Sequence, residues 1–156
     1  MVGPAEATDS QQDLAYQLGR LLAQRGWTVV TGGLGGVMAA ATRGANDAGG
    51  KTLAVLPGSD RSAATEEATV VLATGLGQMR NALLVGSADA VIAVGGSWGT
   101  LSEVALAKRS GKPVVCLGGW TILDADGTPV QLTTASTPEH AVNVLAQTHG
   151  QSGVSG

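Results

Sequence analysis

The segment Gly95-Gly-Ser-Trp-Gly-Thr-Leu-Ser-Glu103 brings glycines, hydroxyls and a carboxylate together behind the apolar run Ala90-Val-Ile-Ala-Val94. This order predicts a buried strand, a tight turn and a helix opened by Thr100. Backbone N–H groups at such a junction lack intrahelical partners and sit at the positive end of the helix dipole. An anion, most often a phosphate, is their natural ligand. Glu103 adds a carboxylate beside that point. In a ligand site it would act on bound sugar or base, as an acid/base group or as a stabiliser of an oxocarbenium ion. Spacing alone favours a plainer role, because Thr100-Leu-Ser-Glu103 has the form of a capping box. That role is worth about 1 kcal/mol.

A second glycine turn, Gly32-Gly33-Leu34-Gly35-Gly36, follows the apolar run Trp27-Thr-Val-Val30. In an open parallel sheet, ligands bind beyond the carboxyl ends of the strands. Two glycine turns on that edge favour an anion site over turns that serve only tight bends and close packing. The residues expected to hold phosphate and ribose are Gly32, Gly33, Gly35, Gly36, Gly95, Gly96, Ser97, Gly99 and Thr100. A dinucleotide fingerprint fails: Gly33-x-Gly35 would need glycine at the position of Met38, and Leu56-Pro57 supplies no acid after the next strand. This argues against a dinucleotide oxidoreductase, the third reading.

Arg80, in Gly75-Leu-Gly-Gln-Met-Arg-Asn81, is placed to fork onto a phosphate or carboxylate. A solvated surface arginine is the commoner case. Asp89 starts a strand, and Asp60, Glu66 and Glu67 read as solvated loop charges. Trp98 is out of place in a glycine turn unless it covers a ligand or a partner surface.

Nine Lys and Arg against twelve Asp and Glu give a net charge of −3, with no basic stripe for nucleic acid. Phe is absent and Tyr16 is the single tyrosine, so base-stacking platforms of the nucleic-acid kind are not expected. Cys116 is the one cysteine, which excludes an intrachain disulfide and a cysteine metal site; it reads as a buried strand residue. His140 and His149 lack ligand spacing, so no metal and no cofactor are called for. There is no apolar run long enough to span a membrane and no basic-then-apolar leader, which makes the cytoplasm the expected compartment.

Strand and helix patterns alternate, predicting an α/β fold: a single Rossmann-like domain over 1–149, with a mainly parallel sheet, helices on both faces and a loose tail over 150–156. Helices are expected from an Asp9 or Ser10 cap to about Gln24, from Val37 to about Ala48, from Gln78 to Ser87, from Thr100 to Ser110, and from a Thr137 cap to about Gln147. Strands are expected at 27–30, 52–56, 68–73, 90–94 and 113–117. Trp120–Leu123 and Val130–Leu132 read as a hairpin around Asp124–Thr128 or an insertion at the sheet edge. Only Met1-Val2 precede Gly3-Pro4, so the first strand is very short or the natural start lies upstream. The intact mass of the native gene product decides this, and a mass matching Met1 removes the upstream start.

These motifs resemble those of the Lonely Guy (LOG) family, once labelled lysine decarboxylases. That family lies in a wider Rossmann-like superfamily with the molybdenum cofactor carriers. The resemblance runs from about Trp27 to Leu117. It covers Val30–Met38, Gly49–Pro57, Met79-Arg80-Asn81 and Gly95–Glu103, with ungapped spacing from Arg80 through Asp89 to Glu103. It implies a homodimer or higher homo-oligomer and a ligand that is a nucleotide or other phosphorylated small molecule. It also implies a phosphoribohydrolase in which Arg80 and Glu103 cleave the base–ribose bond of a nucleoside 5′-monophosphate. The departures are Gly95 for Pro, Ser97 for Gly, Asn81 for Lys and no His near the arginine. They place the chain near an uncharacterised bacterial branch and favour the alternative, a non-catalytic binding or carrier protein for a nucleotide or molybdenum cofactor. A true lysine decarboxylase is not implied.

Overall fold

The computed structural model describes residues 1–65 and 67–151. The elements run α1 (Asp9–Gln24), β1 (Val29–Thr31), α2 (Val37–Asp47), β2 (Thr52–Leu56), β3 (Val70–Ala73), α3 (Arg80–Ser87), β4 (Val91–Val94), α4 (Trp98–Arg109), β5 (Val114–Leu117), β6 (Thr133–Thr134) and α5 (Pro138–Gln151). Short 3-10 turns occupy Arg61–Ala63 and Gly77–Met79. Two parallel three-stranded ladders, β1-β2-β3 and β4-β5-β6, form the sheet. The expected α/β Rossmann-like arrangement is present.

Val2 joins the ladders. Its N–H donates to the Ile92 carbonyl at 2.9 Å, and its own carbonyl accepts from Val94 N–H at 3.0 Å. Met1 N donates to the Val30 carbonyl at 2.6 Å. Val2 thus lies between β1 and β4, and the order reads β3-β2-β1-Val2-β4-β5-β6. The direction of winding reverses at Val2, which makes the carboxyl edge beside it the topological switch point.

Alternation along β4 and β5 divides the core between two faces. Ile92, Val94, Val115 and Leu117 pack with Leu18, Leu22, Val37 and Val142 under α1, α2 and α5. Val91, Ala93, Val114 and Cys116 pack with Val2, Leu84, Val85 and Val104 under α3 and α4. Every residue of β4 and β5 is buried, as a central parallel sheet covered on both faces requires. Burial pushes the Cys116 thiol up, so it stays a protonated strand residue as expected. On the first face, Gly19 and Gly44 let α1 and α2 touch backbone to backbone. A Cβ at Gly19 would fall on the Ala41 carbonyl oxygen, and one at Gly44 on that of Tyr16.

Several expectations need correction. The cap of α1 is Thr8, not Asp9 or Ser10. Thr8 and Gln11 form a true capping box, with Thr8 Oγ1 accepting from Gln11 N–H at 3.3 Å and Gln11 Oε1 accepting from Thr8 N–H at 3.1 Å. The 120–132 segment makes a single antiparallel bridge, Leu123 to Pro129, before the chain adds β6 in parallel beside β5. Helix α5 continues to Gln151, past the glycine expected to open a tail. Residues 152–156 of that tail, Glu66 and the side chain of His149 lie outside the described set. Among the described residues, no helix is long and apolar enough to cross a membrane, and no cluster of metal-ligating side chains occurs.

Candidate functional site

Three loops meet at the carboxyl edge around the switch point. The first, Gly3–Thr8, leads from Val2 into α1. The second is Gly32–Gly36 and the third Gly95–Ser97. They touch through missing side chains. A Cβ at Gly36, whose φ is +58°, would strike the Pro4 and Ala5 carbonyl oxygens; one at Gly3 would strike Val37 at 2.5 Å. Val37 N–H donates to the Pro4 carbonyl at 3.1 Å. A Cβ at Gly95 would strike the Gln11 amide. The Gly3 loop and Gln11 escaped the sequence reading because Met1-Val2 form no apolar run to mark where the loop begins.

The glycines differ in what they offer. The Gly95 N–H is committed to the Leu117 carbonyl at 3.0 Å, so Gly95 shapes the loop through its φ of +65° and does not present a donor. The Gly33 N–H rests on Thr31 Oγ1 at 3.2 Å, and the Gly33 carbonyl accepts from Thr65 N–H at 3.0 Å. Gly32 is shaped by Arg80: a Cβ there would lie 2.5 and 2.7 Å from the guanidinium nitrogens. Helix α2 starts at Gly36 with no side-chain cap, and the Pro4 carbonyl meets its first N–H, that of Val37.

The cap of α4 is Ser97, not Thr100. Ser97 Oγ accepts from Thr100 N–H at 3.1 Å and shares a hydrogen bond with Thr100 Oγ1 at 2.9 Å. The helix therefore opens at Trp98, one turn earlier than the motif suggested. Glu103 then falls in the second turn, where it cannot fold back to the N-cap. The capping-box role expected for it is replaced by another.

Glu103 Oε1 accepts from Arg80 Nη1 at 3.3 Å, and both side chains are more than nine-tenths buried. This is the one ion pair among the described residues. Arg80 is thus not the solvated surface arginine of the commoner case but a buried cation on a carboxylate, held at the first residue of α3 against Gly32. Burial pushes the Glu103 carboxyl above its ordinary value, and Arg80 only partly offsets this. Burial likewise lowers Arg80, against the pull of Glu103. Desolvation thus outweighs the mutual attraction for both partners. Arg80 Nε and Thr65 Oγ1 are buried without a hydrogen-bond partner. Both residues abut the Gly32–Gly33 turn, so unmet hydrogen-bonding capacity gathers there. Asn81, also buried, donates to Ser102 Oγ at 2.9 Å and ties α3 to α4 beside the pair.

Trp98 and Trp120 flank the third loop with ring centroids 4.9 Å apart and planes inclined at 76°. Asp89 is exposed at the opposite end of the sheet, and Asp60 accepts from the Ser62 N–H and hydroxyl. A cavity of about 750 Å³ lies at that opposite end between Met1, Trp27–Val30 and Ser87–Ala90. Asp89 is its one ionisable side chain, and the Met1 amino group and the hydroxyl-bearing residues Thr28 and Ser87 also line it, with Gly26 as its one glycine.

Among the solved structures with this arrangement are two molybdenum cofactor proteins. The molybdenum cofactor binding protein of Rippkaea orientalis is 37% identical, with a TM-score of 0.84 over 94% of this chain and 93% of that one. The molybdenum cofactor carrier protein of Chlamydomonas reinhardtii is 34% identical, with a TM-score of 0.82 over 96% and 95%. An uncharacterized protein of Archaeoglobus fulgidus is 37% identical over 143 residues, which is 92% of this chain and 90% of that protein. The match of residues 1–148 to the family model gives the conclusion that the chain belongs to the SLOG cluster4 family.

Proposed function

We propose that this chain is a binding and carrier protein for a phosphorylated heterocyclic small molecule, with molybdenum cofactor as its cargo. The observation that carries the reading is the state of Arg80 and Glu103. The two side chains that chemistry would need are closed on each other and buried, while the glycine loops around them remain shaped for an anion. A carrier needs the second feature and not the first. The fit to such a cargo rests on the Gly32 cradle, the unpartnered Arg80 Nε and Thr65 hydroxyl beside it, and the start of α2, which no side chain caps. Gly32, Gly33, Gly35 and Gly36, with Gly96, Ser97, Gly99 and Thr100 across the edge, would hold the phosphate end. Likeness to the Rippkaea and Chlamydomonas proteins over almost the whole chain supports the choice of cargo.

The second reading is a LOG-type phosphoribohydrolase acting on a nucleoside 5′-monophosphate. It is favoured by one feature: a carboxyl raised by burial meets an arginine beside a phosphate-type turn, the pairing that cleavage of a base–ribose bond would use. One experiment separates the readings. Purified protein is incubated with molybdenum cofactor and, separately, with a panel of nucleoside monophosphates. The carrier reading expects cofactor retained and recovered intact, with no free base from any nucleotide. Release of base and ribose 5-phosphate, abolished in Glu103→Ala and Arg80→Ala, would establish the hydrolase instead.

A further inference from the structure

We propose that anion binding at the Gly32–Gly36 turn is coupled to uptake of a proton by Glu103, so that the protein holds its phosphorylated ligand more tightly as pH falls and releases it as pH rises. This coupling rests on the proposed phosphate site and adds its regulation. The Arg80 guanidinium fills the place that a side chain on Gly32 would take, with its terminal nitrogens 2.5 and 2.7 Å from that Cβ position. It therefore lies directly against the turn. Its Nη1 donates to Glu103 Oε1 at 3.3 Å, while its Nε is buried with no partner. Both side chains are more than nine-tenths buried, so water screens their charges poorly.

The balance of charge makes Glu103 the controlling group. The cation of Arg80 and the anion of Glu103 cancel, so a ligand arriving at the turn meets a neutral pair. A phosphate carries about −1.5 to −2 charges at neutral pH. With Glu103 ionised, that charge would share one guanidinium with a carboxylate, and like charges in a poorly screened site repel. One proton from solvent onto the Glu103 carboxylate removes the repulsion and leaves all of Arg80, Nε included, to the anion. Burial already raises Glu103 above its ordinary value, in the direction this step requires. Few other charges face Glu103. Arg80 reaches it from α3, which has no other charged residue, and β4 and β5 have none. On α4 itself, Lys108 and Arg109 stand in the last turn. The Met1 amino group also faces it; burial lowers that group from 8.0 to about 6, against the pull of Glu103. It too gains a proton as pH falls, so a variant must separate the two.

Calorimetry with inorganic sulfate tests the coupling, because sulfate stays a dianion across the range and brings no proton of its own. Wild type and Glu103→Gln are titrated between about pH 5.5 and pH 8.5, in buffers of different ionisation enthalpy so that protons taken up are counted. Ribose 5-phosphate is titrated alongside, its own protonation being common to both proteins. Full coupling predicts about one proton per sulfate and a wild-type affinity that falls about tenfold per pH unit above the Glu103 transition. Glu103→Gln places a neutral carboxamide where the protonated acid would be. It should bind with a much flatter pH profile and, at pH 8, about tenfold or more tighter than wild type. The proton count on the wild type needs no variant, so it decides the matter even where the Gln side chain disturbs the fold. No proton uptake by the wild type overturns the coupling while the phosphate site stands. So does a pH slope as steep in Glu103→Gln as in wild type, which assigns the proton to Met1. Failure of both sulfate and ribose 5-phosphate to bind at any pH overturns the phosphate site, and the coupling falls with it.

Discussion

Removing either member of the Arg80–Glu103 pair should cost far more stability than removing both. At 3.3 Å and an effective dielectric constant of about 20, two unit charges attract by about 5 kcal/mol. Burial costs several kcal/mol for each ion, and the displaced titration of both groups places desolvation ahead of attraction. The pair as a whole therefore contributes little net stability. Truncating one partner leaves the other buried and uncompensated, at a cost of about 3–5 kcal/mol. Arg80→Met and Glu103→Leu should each lose that much in urea unfolding. The double variant R80M/E103L should lie within about 2 kcal/mol of the wild type, a coupling far outside simple addition. The same double variant should fold yet lose affinity for ribose 5-phosphate, because Gly32 no longer has a guanidinium behind it. Single variants that cost under about 1 kcal/mol, or a double variant that costs the sum of the two, would refute the buried-pair argument.

Other perturbations follow from the same geometry. The raised Glu103 carboxyl favours the fold most below its ordinary value of 4.5, and that contribution is lost as pH rises through the higher folded value. Unfolding measured from pH 8 down to pH 4.5 should therefore show the wild type gaining on Glu103→Gln as pH falls; a constant difference would contradict it. Gly44→Ala gains about 1 kcal/mol of helix propensity but drives a methyl into the Tyr16 carbonyl oxygen, so thermal unfolding should show a net loss of at least about 1–3 kcal/mol. Gly32→Ala should displace Arg80 and weaken phosphate binding at least tenfold while the far-UV spectrum stays unchanged. Ser97→Ala should lower stability by about 1 kcal/mol, whereas Thr100→Val should leave the α4 cap in place, since Ser97 is the capping residue.

The long apolar runs announced their elements. Val91–Val94 and Val114–Leu117 are buried on both faces, so their strands were legible from composition alone. Glycine spacing likewise marked both turns on the carboxyl edge. Features decided by tertiary contact were not legible. Val2 becomes a strand only because β1 and β4 leave one slot between them, and no periodicity can register in one residue. The choice of Ser97 over Thr100 as cap depends on which hydroxyl meets a free N–H, and both residues satisfy the pattern. Arg80 is buried because Gly32, far away in sequence, gives up its side chain for the guanidinium. Once Arg80 sits there, Glu103 has a partner better than its own helix terminus. Asn81 stood out only as a departure from the motif it resembles, and Thr65 carried no signal: a buried amide bridge and an unpartnered hydroxyl look like ordinary polar helix and loop residues in one dimension.

The central claim is that phosphate is held on the carboxyl edge around Val2. The most direct measurement is the amide spectrum of protein labelled with 15N at glycine and serine, titrated with ribose 5-phosphate. The account predicts that the largest shifts fall on Gly32, Gly33, Gly35, Gly36, Gly96, Ser97 and Gly99, with Gly49, Gly111 and Gly127 unmoved. Shifts gathered instead on Gly26 and Ser87, which border the 750 Å³ cavity at the opposite end of the sheet, would contradict it, as would no shift at saturating phosphate.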